Sequence, residues 1–422
     1  MMQGSTFRNS KLFPWFVWAV AAAFFFFVYL VRVSPSVMTL ELMRDFNTGA
    51  LIVGILMSCF YWPYVAMQVP VGLLVDRFGA QRLLSIMAVL AAMGCLVFAF
   101  SHNIIIACLS RVVIGFAAAF CFVGVIKLAA TWHSKSRLGL IVGLTQSIAM
   151  LGAYFASHIA KVNSILGWRN TLVILACLLV LSGLAIYKWA TPKTTVKHVS
   201  EENGIMLSLK EVLKNPQSWL NAFFVGFFFA PTGVFGENWG ATFFQQVYGL
   251  SVDAAASINA MIFVGWILGG PVLGWWSDHM KKRKPIMIVG NLIVLCCLSM
   301  VVYTPQLQVG WLYLLIILMG IASSGVTVGY TLSTEINKSS VSGTSLAFAN
   351  MSSVIIGTVL LPIVGWILDN IAGVDYSSSV PVVYSATAFH YAFLPIIIGL
   401  AIGAIIVMFI KETNGKTVDD CN

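Results

Sequence analysis

Apolar residues in this chain come in runs of about twenty, parted by short polar stretches. A helix of about 20 residues rises about 30 Å, the thickness of a bilayer's hydrocarbon core. Barrel strands would instead alternate apolar and polar over about ten residues. Set against the turn signals, the runs predict twelve helical spans. They lie at 13–35, 50–71, 83–101, 104–131, 138–160, 168–190, 219–241, 253–276, 286–304, 309–335, 342–368 and 386–410. No small-residue cleavage site follows the first run, so it is read as a retained helix and not as a signal peptide. The pattern changes once, at TPKTTVKHVSEENGIMLSLKEVLKNPQS, residues 191–218. Nothing there is apolar enough to cross. It reads as a cytoplasmic linker with a short amphipathic helix near Leu207–Leu213. It separates one six-helix half, 1–190, from another, 219–422.

Composition agrees with the runs. Of 422 residues, 59% are hydrophobic and 9% charged, and the mean hydropathy is +0.92. Soluble domains carry about 25% charged residues. The net charge of +9 invites a nucleic-acid partner, but its distribution fits membrane orientation. With the N-terminus inside, 18 of the 24 Lys and Arg residues face the cytoplasm or lie at inner span ends. The six others are Arg32, Arg44, Arg111, Lys127, Lys161 and Arg169. Both termini are therefore expected in the cytoplasm, the bilayer is the expected partner, and no nucleic acid is needed. A monomer is expected.

Seven of the eight cysteines sit in apolar runs, and Cys421 is in the tail. None has C-x-x-C spacing, so they read as buried hydrophobes and not as a disulfide or metal framework. The sequence lacks H-E-x-x-H, G-x-S-x-G and the phosphate loop GxxxxGK[ST]. No enzyme, metal or cofactor is expected, and an ion gradient is the expected energy source.

One polar knot repeats. GLLVDRFGAQR, Gly72–Arg82, follows the second span, and GWWSDHMKKRK, Gly274–Lys284, follows the eighth. Gly72-x-x-x-Asp76 aligns with Gly274-x-x-x-Asp278. An internal repeat of this kind marks a transporter built from two halves. Gly72 is expected to let another helix approach closely. Asp76, at the membrane edge, needs a partner, either an arginine or the positive N-terminal end of a helix. A gating role is expected for Gly72, Asp76, Arg77, Arg82 and Asp278.

With Gly72, Asp76, Arg77, Gly79 and Arg82 in register, this first copy resembles the loop two–three signature of the major facilitator superfamily. Arg111 in SRVVIGFAAAF resembles that superfamily's span-four arginine motif. GWRN at Gly167–Asn170 and KET at Lys411–Thr413 are also similar to it. The second copy departs from the pattern, with His279 in place of the basic residue and no second glycine. YLVRVSPSVMTLELMRDF, Tyr29–Phe46, resembles the anion:cation symporters and the phagosomal nutrient transporters of intracellular bacteria. KLAATWHSKSRLGLIVG, Lys127–Gly143, does too, keeping Trp132, Arg137 and Gly143 but carrying Lys135 and Ser136 where an acid is usual. The resemblance implies an all-α membrane protein of twelve transmembrane helices in two pseudo-symmetric six-helix bundles. It also implies alternating access and a bacterial inner membrane.

Charges inside spans are costly and so are functional candidates. Arg32 suits a two-pronged clamp on a substrate carboxylate, against snorkelling to headgroups. Glu237, flanked by Gly236 and Gly240, can carry a proton or hold an ammonium, against lying wet at the interface. Lys127 is a candidate for the anion, or it snorkels inward. Arg111 is a candidate for proton coupling with Glu237, against holding a backbone carbonyl across a helix interface. Glu335 and Asp369, at span ends, read as ordinary interfacial charges. Asn238, Tyr154, Gln146 and Asn350 are cavity candidates, against polar helix-packing contacts.

Arg32 and Glu237 belong to opposite halves, which suits a zwitterion. The leading reading is proton-coupled uptake of a small polar solute such as an amino acid or small peptide. The alternatives are a carboxylate or polycarboxylate siderophore held with Lys127 or Arg111, an exporter, and a non-transporting membrane sensor. Export is disfavoured because span five, GLTQSIAMLGAYFA, lacks a glycine–proline run.

Overall fold

A computed structural model describes residues 10, 12–68, 70–133, 138–190, 204–304, 306–373 and 383–418. For residues 76, 138–140, 204–206 and 339 it describes the backbone alone.

The first half holds six spans. Helix α1, Phe13–Val33, starts with Pro14 in its first turn and tightens into a 3₁₀ turn at Ser34–Val37. A short α2, Thr39–Phe46, leads to α3, Ala50–Met67, which is followed by α4, Pro70–Phe78. Then come α5, Ala80–Phe100; α6, Ile104–Ala130; α7, Leu138–Leu166; and α8, Trp168–Trp189. Helix α9, Gly204–Lys214, lies in the linker between the halves.

Span seven has three parts: α10, Pro216–Ala230; a π-helix, Pro231–Trp239; and α11, Gly240–Val247. Next are α12, Val252–Met280, and α13, Lys284–Tyr303. Span ten is α14, Val309–Ser323, with α15, Val326–Glu335. The last two are α16, Ser342–Ala372, and α17, Ala386–Phe409. Eleven spans are long and apolar enough to cross a membrane over their described residues, and the 29-residue α7 completes the twelve. An even number of crossings puts the start of α1 and the end of α17 at one face, here the terminal face. The opposite one is the distal face.

Three expectations about span ends and turns need correction. Span seven begins at Pro216, not 219. Asn215 Oδ1 accepts from Gln217 N at 3.0 Å, and a proline at the first helical position loses no needed donor. The loop after span two is mostly helix, and only Gly79, at φ +84°, makes the turn. Gly72 does not admit a neighbouring helix, because a Cβ there would meet nothing within 4 Å. What Gly72 offers instead is its carbonyl, which accepts from Lys127 Nζ at 3.3 Å. The linker helix forms where expected, and residues 191–203 lie outside the described ones.

The two bundles meet along α3 and α16, and along α7 and α12. Glycine makes the first of these contacts close. A Cβ on Gly54 would lie 2.6 Å from the Leu361 carbonyl oxygen, and one on Gly365 would overlap the Ala50 carbonyl. Ser58 Oγ donates to the Thr358 carbonyl at 2.9 Å in the same seam. Small residues at such contacts let backbones pack on each other, which is how helices gain packing energy inside a bilayer.

At the terminal face α9 docks on the second bundle. Its Val212 packs with Ala222, Val341 and Phe348, and its Glu211 pairs with Lys338 at 2.6 Å. Nearby, Arg283 binds Glu335 and Asp278, each at 2.7 Å. Asp278 thus ties its own bundle and not the opposite one. Glu335 is not an ordinary interfacial charge, since it is buried against Arg283.

Candidate functional site

The site begins with PTGVFGENWG in span seven. Pro231 has no N–H to donate back, and three glycines follow within nine residues. The helix widens to a π turn here, as helices often do at functional sites. Side chains satisfy the loosened carbonyls. Asn238 Nδ2 donates to the Gly233 carbonyl at 2.6 Å, and Asn259 Nδ2, from α12, donates to that of Gly236 at 2.7 Å. The Cβ missing from Gly240 would overlap Asn259 Oδ1, so only glycine fits beside α12. This arrangement aims Glu237 at the first bundle.

Arg32 meets it there. Its Nε donates to Glu237 Oε2 at 2.9 Å, and its Nη2 donates to Oε2 at 2.7 Å and to Oε1 at 3.0 Å. The pair joins the two bundles, with exposures of 2% and 0%, so snorkelling is ruled out for Arg32 and a wet interface for Glu237. Tyr61, on α3, donates its hydroxyl to Glu237 Oε2 at 2.8 Å and accepts from Asn238 Nδ2 at 3.3 Å. The Arg32 guanidinium lies 4.8, 5.0 and 5.8 Å from the ring centres of Tyr29, Tyr61 and Tyr64. These rings exclude water on one side and offer negative faces to the cation.

Arg111 stands behind the pair. Helix α1 leaves α geometry at Ser34, so its last carbonyls lack their helical donors. Arg111 Nη1 donates to the Val31 carbonyl at 3.2 Å and Nη2 to that of Arg32 at 3.3 Å. Its guanidinium also lies 4.8 Å from the Phe60 ring. It fixes the end of α1 and so the origin of the Arg32 side chain.

The space left beside the ion pair is a cavity of about 10 Å³, lined by Arg32, Tyr61, Phe229, Gly233, Val354, Gly357, Thr358 and Leu361. That is room for about one water. A larger solute does not fit in that space.

The family model of the Major Facilitator Superfamily matches residues 17–362. The chain belongs to that superfamily. It is a multi-pass membrane transporter and not an enzyme. An uncharacterised transporter of Bacillus subtilis (strain 168), YybO, is 24% identical over 350 residues, covering 76% of this chain and 80% of its own. A probable galactarate/D-glucarate transporter of Escherichia coli (strain K12), GudP, is 24% identical over 384 residues, covering 81% and 84%. Among solved structures, an inward-facing, occupied bacterial homologue of the human lysosomal transporter Spinster superposes with a TM-score of 0.78. It is 16% identical, covers 95% of this chain and 97% of its own, and shares the fold.

The other site candidates of this major facilitator lie apart from the ion pair. Asn350 Nδ2, on α16, donates to Gln68 Oε1, at the end of α3, at 2.9 Å; this bond crosses the bundles toward the terminal face. Lys127 reaches the Gly72 carbonyl. Tyr154, on α7, packs its ring on His158 at 4.8 Å, and Gln146 is half-buried on the same helix. None of these four hydrogen-bonds Arg32 or Glu237. Arg77, exposed, lies 5.5 Å from the Phe78 ring, Arg82 is exposed, and the Asp76 side chain lies outside the described residues.

The sequence reading passed over Tyr29, Tyr61 and Tyr64. Tyr29 had a signal, since it lies three residues before Arg32 on one helix face. The two tyrosines of α3 had none, because nothing local says which helix α3 will face.

Proposed function

We propose that this transporter carries a small carboxylate-bearing polar solute together with a proton, by exchange of anions on Arg32. The observation that carries the reading is the buried two-pronged pair between Arg32 and Glu237, one residue from each bundle. A guanidinium holds one carboxylate well in that geometry. A solute carboxylate must therefore displace Glu237. A carboxylate left buried without its cation is costly, typically ~3–5 kcal/mol, unless it is neutralised. A proton on Glu237 removes that cost, so solute and proton enter together. GudP is named as a probable galactarate/D-glucarate transporter, which supports an acidic solute.

A second reading keeps the amino acid. The opposite charges on opposite bundles also match a zwitterion, whose ammonium would take Glu237 while its carboxylate takes Arg32. That exchange needs no proton.

In both readings the terminal face is cytoplasmic, the membrane is a bacterial inner membrane, and the halves at 1–190 and 219–422 rock about Arg32. Gly72, Asp76, Arg77 and Arg82 act at the cytoplasmic gate.

Glu237→Gln in proteoliposomes tests the proposal. The amide keeps the shape but can neither take up nor release the proton. Solute accumulation driven by a pH gradient should be lost, while counterflow exchange of labelled for unlabelled carboxylate persists. Accumulation at the wild-type level would overturn the coupling role.

A further inference from the structure

Helix α3 begins without a cap of its own. Gly49, at its N-cap position, is extended and has no side chain to hold the first N–H groups. The missing cap comes from the other bundle. Asp369, in the last turn of α16, accepts from Ala50 N through Oδ1 at 2.8 Å and from Leu51 N through Oδ2 at 2.7 Å. Tyr384, just before α17, donates its hydroxyl to Asp369 Oδ1 at 2.6 Å and accepts from Ala50 N at 3.0 Å. Asp369 is 6% exposed and Tyr384 is fully buried. An ordinary interfacial aspartate would stand in water, so the expectation for this residue does not hold. Gly49 makes the room. A Cβ there would have as its three nearest atoms those of the Asp369 carboxylate, at 2.6–2.8 Å.

We infer that Asp369 and Tyr384 form a latch that closes the distal face by capping a helix of the opposite bundle. The reading rests on the proposed rocking of the halves. A carboxylate is favoured at a helix N-terminus, where orphan N–H groups and the helix dipole both attract it. The same cap in cis would stabilise α3 in every conformation and select none. Supplied in trans, it exists only while the distal ends of α3 and α16 touch. Its bonds have a differential free energy between the closed and open forms, which is what shifts a conformational equilibrium. The glycine seam below it, at Gly54 and Gly365, brings the two backbones close enough for so short a side chain to reach. Separation by a few ångströms breaks all the bonds together.

The test measures distance between the bundles with no solute and no pH gradient, so its outcome is separate from that of the coupling experiment. Spin labels go at His102→Cys and Thr304→Cys, exposed distal-face positions in opposite halves. The background has its native cysteines replaced and retains transport. In lipid nanodiscs, Asp369→Ala should raise the population with separated distal ends about fivefold, the effect of losing one helix cap. Tyr384→Phe removes only the hydroxyl and should shift it the same way by less, about twofold to threefold. Adding Gly49→Ser to Asp369→Ala puts a hydroxyl cap on α3 in cis. That double variant should regain thermal stability while its distal ends stay apart. An unchanged distance distribution in both single variants would overturn the latch. So would a double variant that recovers the wild-type distances, since Asp369 would then be only a cap.

Discussion

Arg32, on α1, and Arg111, on α6, are both enclosed by protein, and their partners give them different work. Arg111 spends its terminal nitrogens on the Val31 and Arg32 carbonyls and has no acid to release. This is the structural alternative weighed for it in the sequence, and it makes Arg111 a support for the site. Arg32 instead holds a carboxylate, and on the proposed mechanism that partner is exchangeable. Tyr61 bears on that exchange, because its hydroxyl donates to Glu237 and helps hold the carboxylate in place. A hydrogen bond to a charged group is worth roughly 1.5–3 kcal/mol. Tyr61→Phe should therefore weaken Glu237 as a competitor for Arg32 and tighten solute binding by about tenfold or more, measured by calorimetry on purified protein. Weaker binding in that variant would mean that Tyr61 touches the solute directly.

Among the helices, glycines separate into those that admit a neighbour and those that do not. At Gly115 a Cβ would overlap the Phe60 carbonyl, so α6 lies on α3 with no room between them. Gly115→Ala should cost about 1–3 kcal/mol, the usual effect of overpacking, and lower the unfolding temperature in detergent. Gly72→Ala should be neutral or stabilise α4 by about 0.5–1 kcal/mol, since it meets only open space and removes a helix-weakening residue. Equal losses from the two substitutions would refute this distinction. The contrast marks what was legible in the sequence. Span number and the linker helix near Leu207–Leu213 follow from local composition, and both appear in the structure. Arg32 and Glu237 stood out because charge is rare in apolar runs. Their tyrosine surroundings, the burial of Glu335 and the capping by Asp369 did not, because each depends on which helices become neighbours. A span-end acid looks the same in sequence whether it faces headgroups or another helix's N-terminus.

For the molecule as a whole, the ion pair at the bundle junction has a consequence for the electric field across the membrane. Moving one unpaired charge through 100 mV takes about 2.3 kcal/mol. Arg32 with ionised Glu237 sums to zero, so on the proposed cycle the pair returns without working for or against the potential. Arg32 with a singly charged carboxylate, beside a protonated Glu237, also sums to zero. A full cycle with a monoanion then carries no net charge, and a valinomycin-imposed potassium potential should leave its uptake unchanged while a pH gradient drives it. A dianion would bring one uncompensated negative charge inward, and an inside-negative potential should slow it. On the proposed coupling, the pairing of Arg32 with Glu237 makes the cycle of a monoanion indifferent to voltage and responsive to pH, a choice of energy source built into one salt bridge.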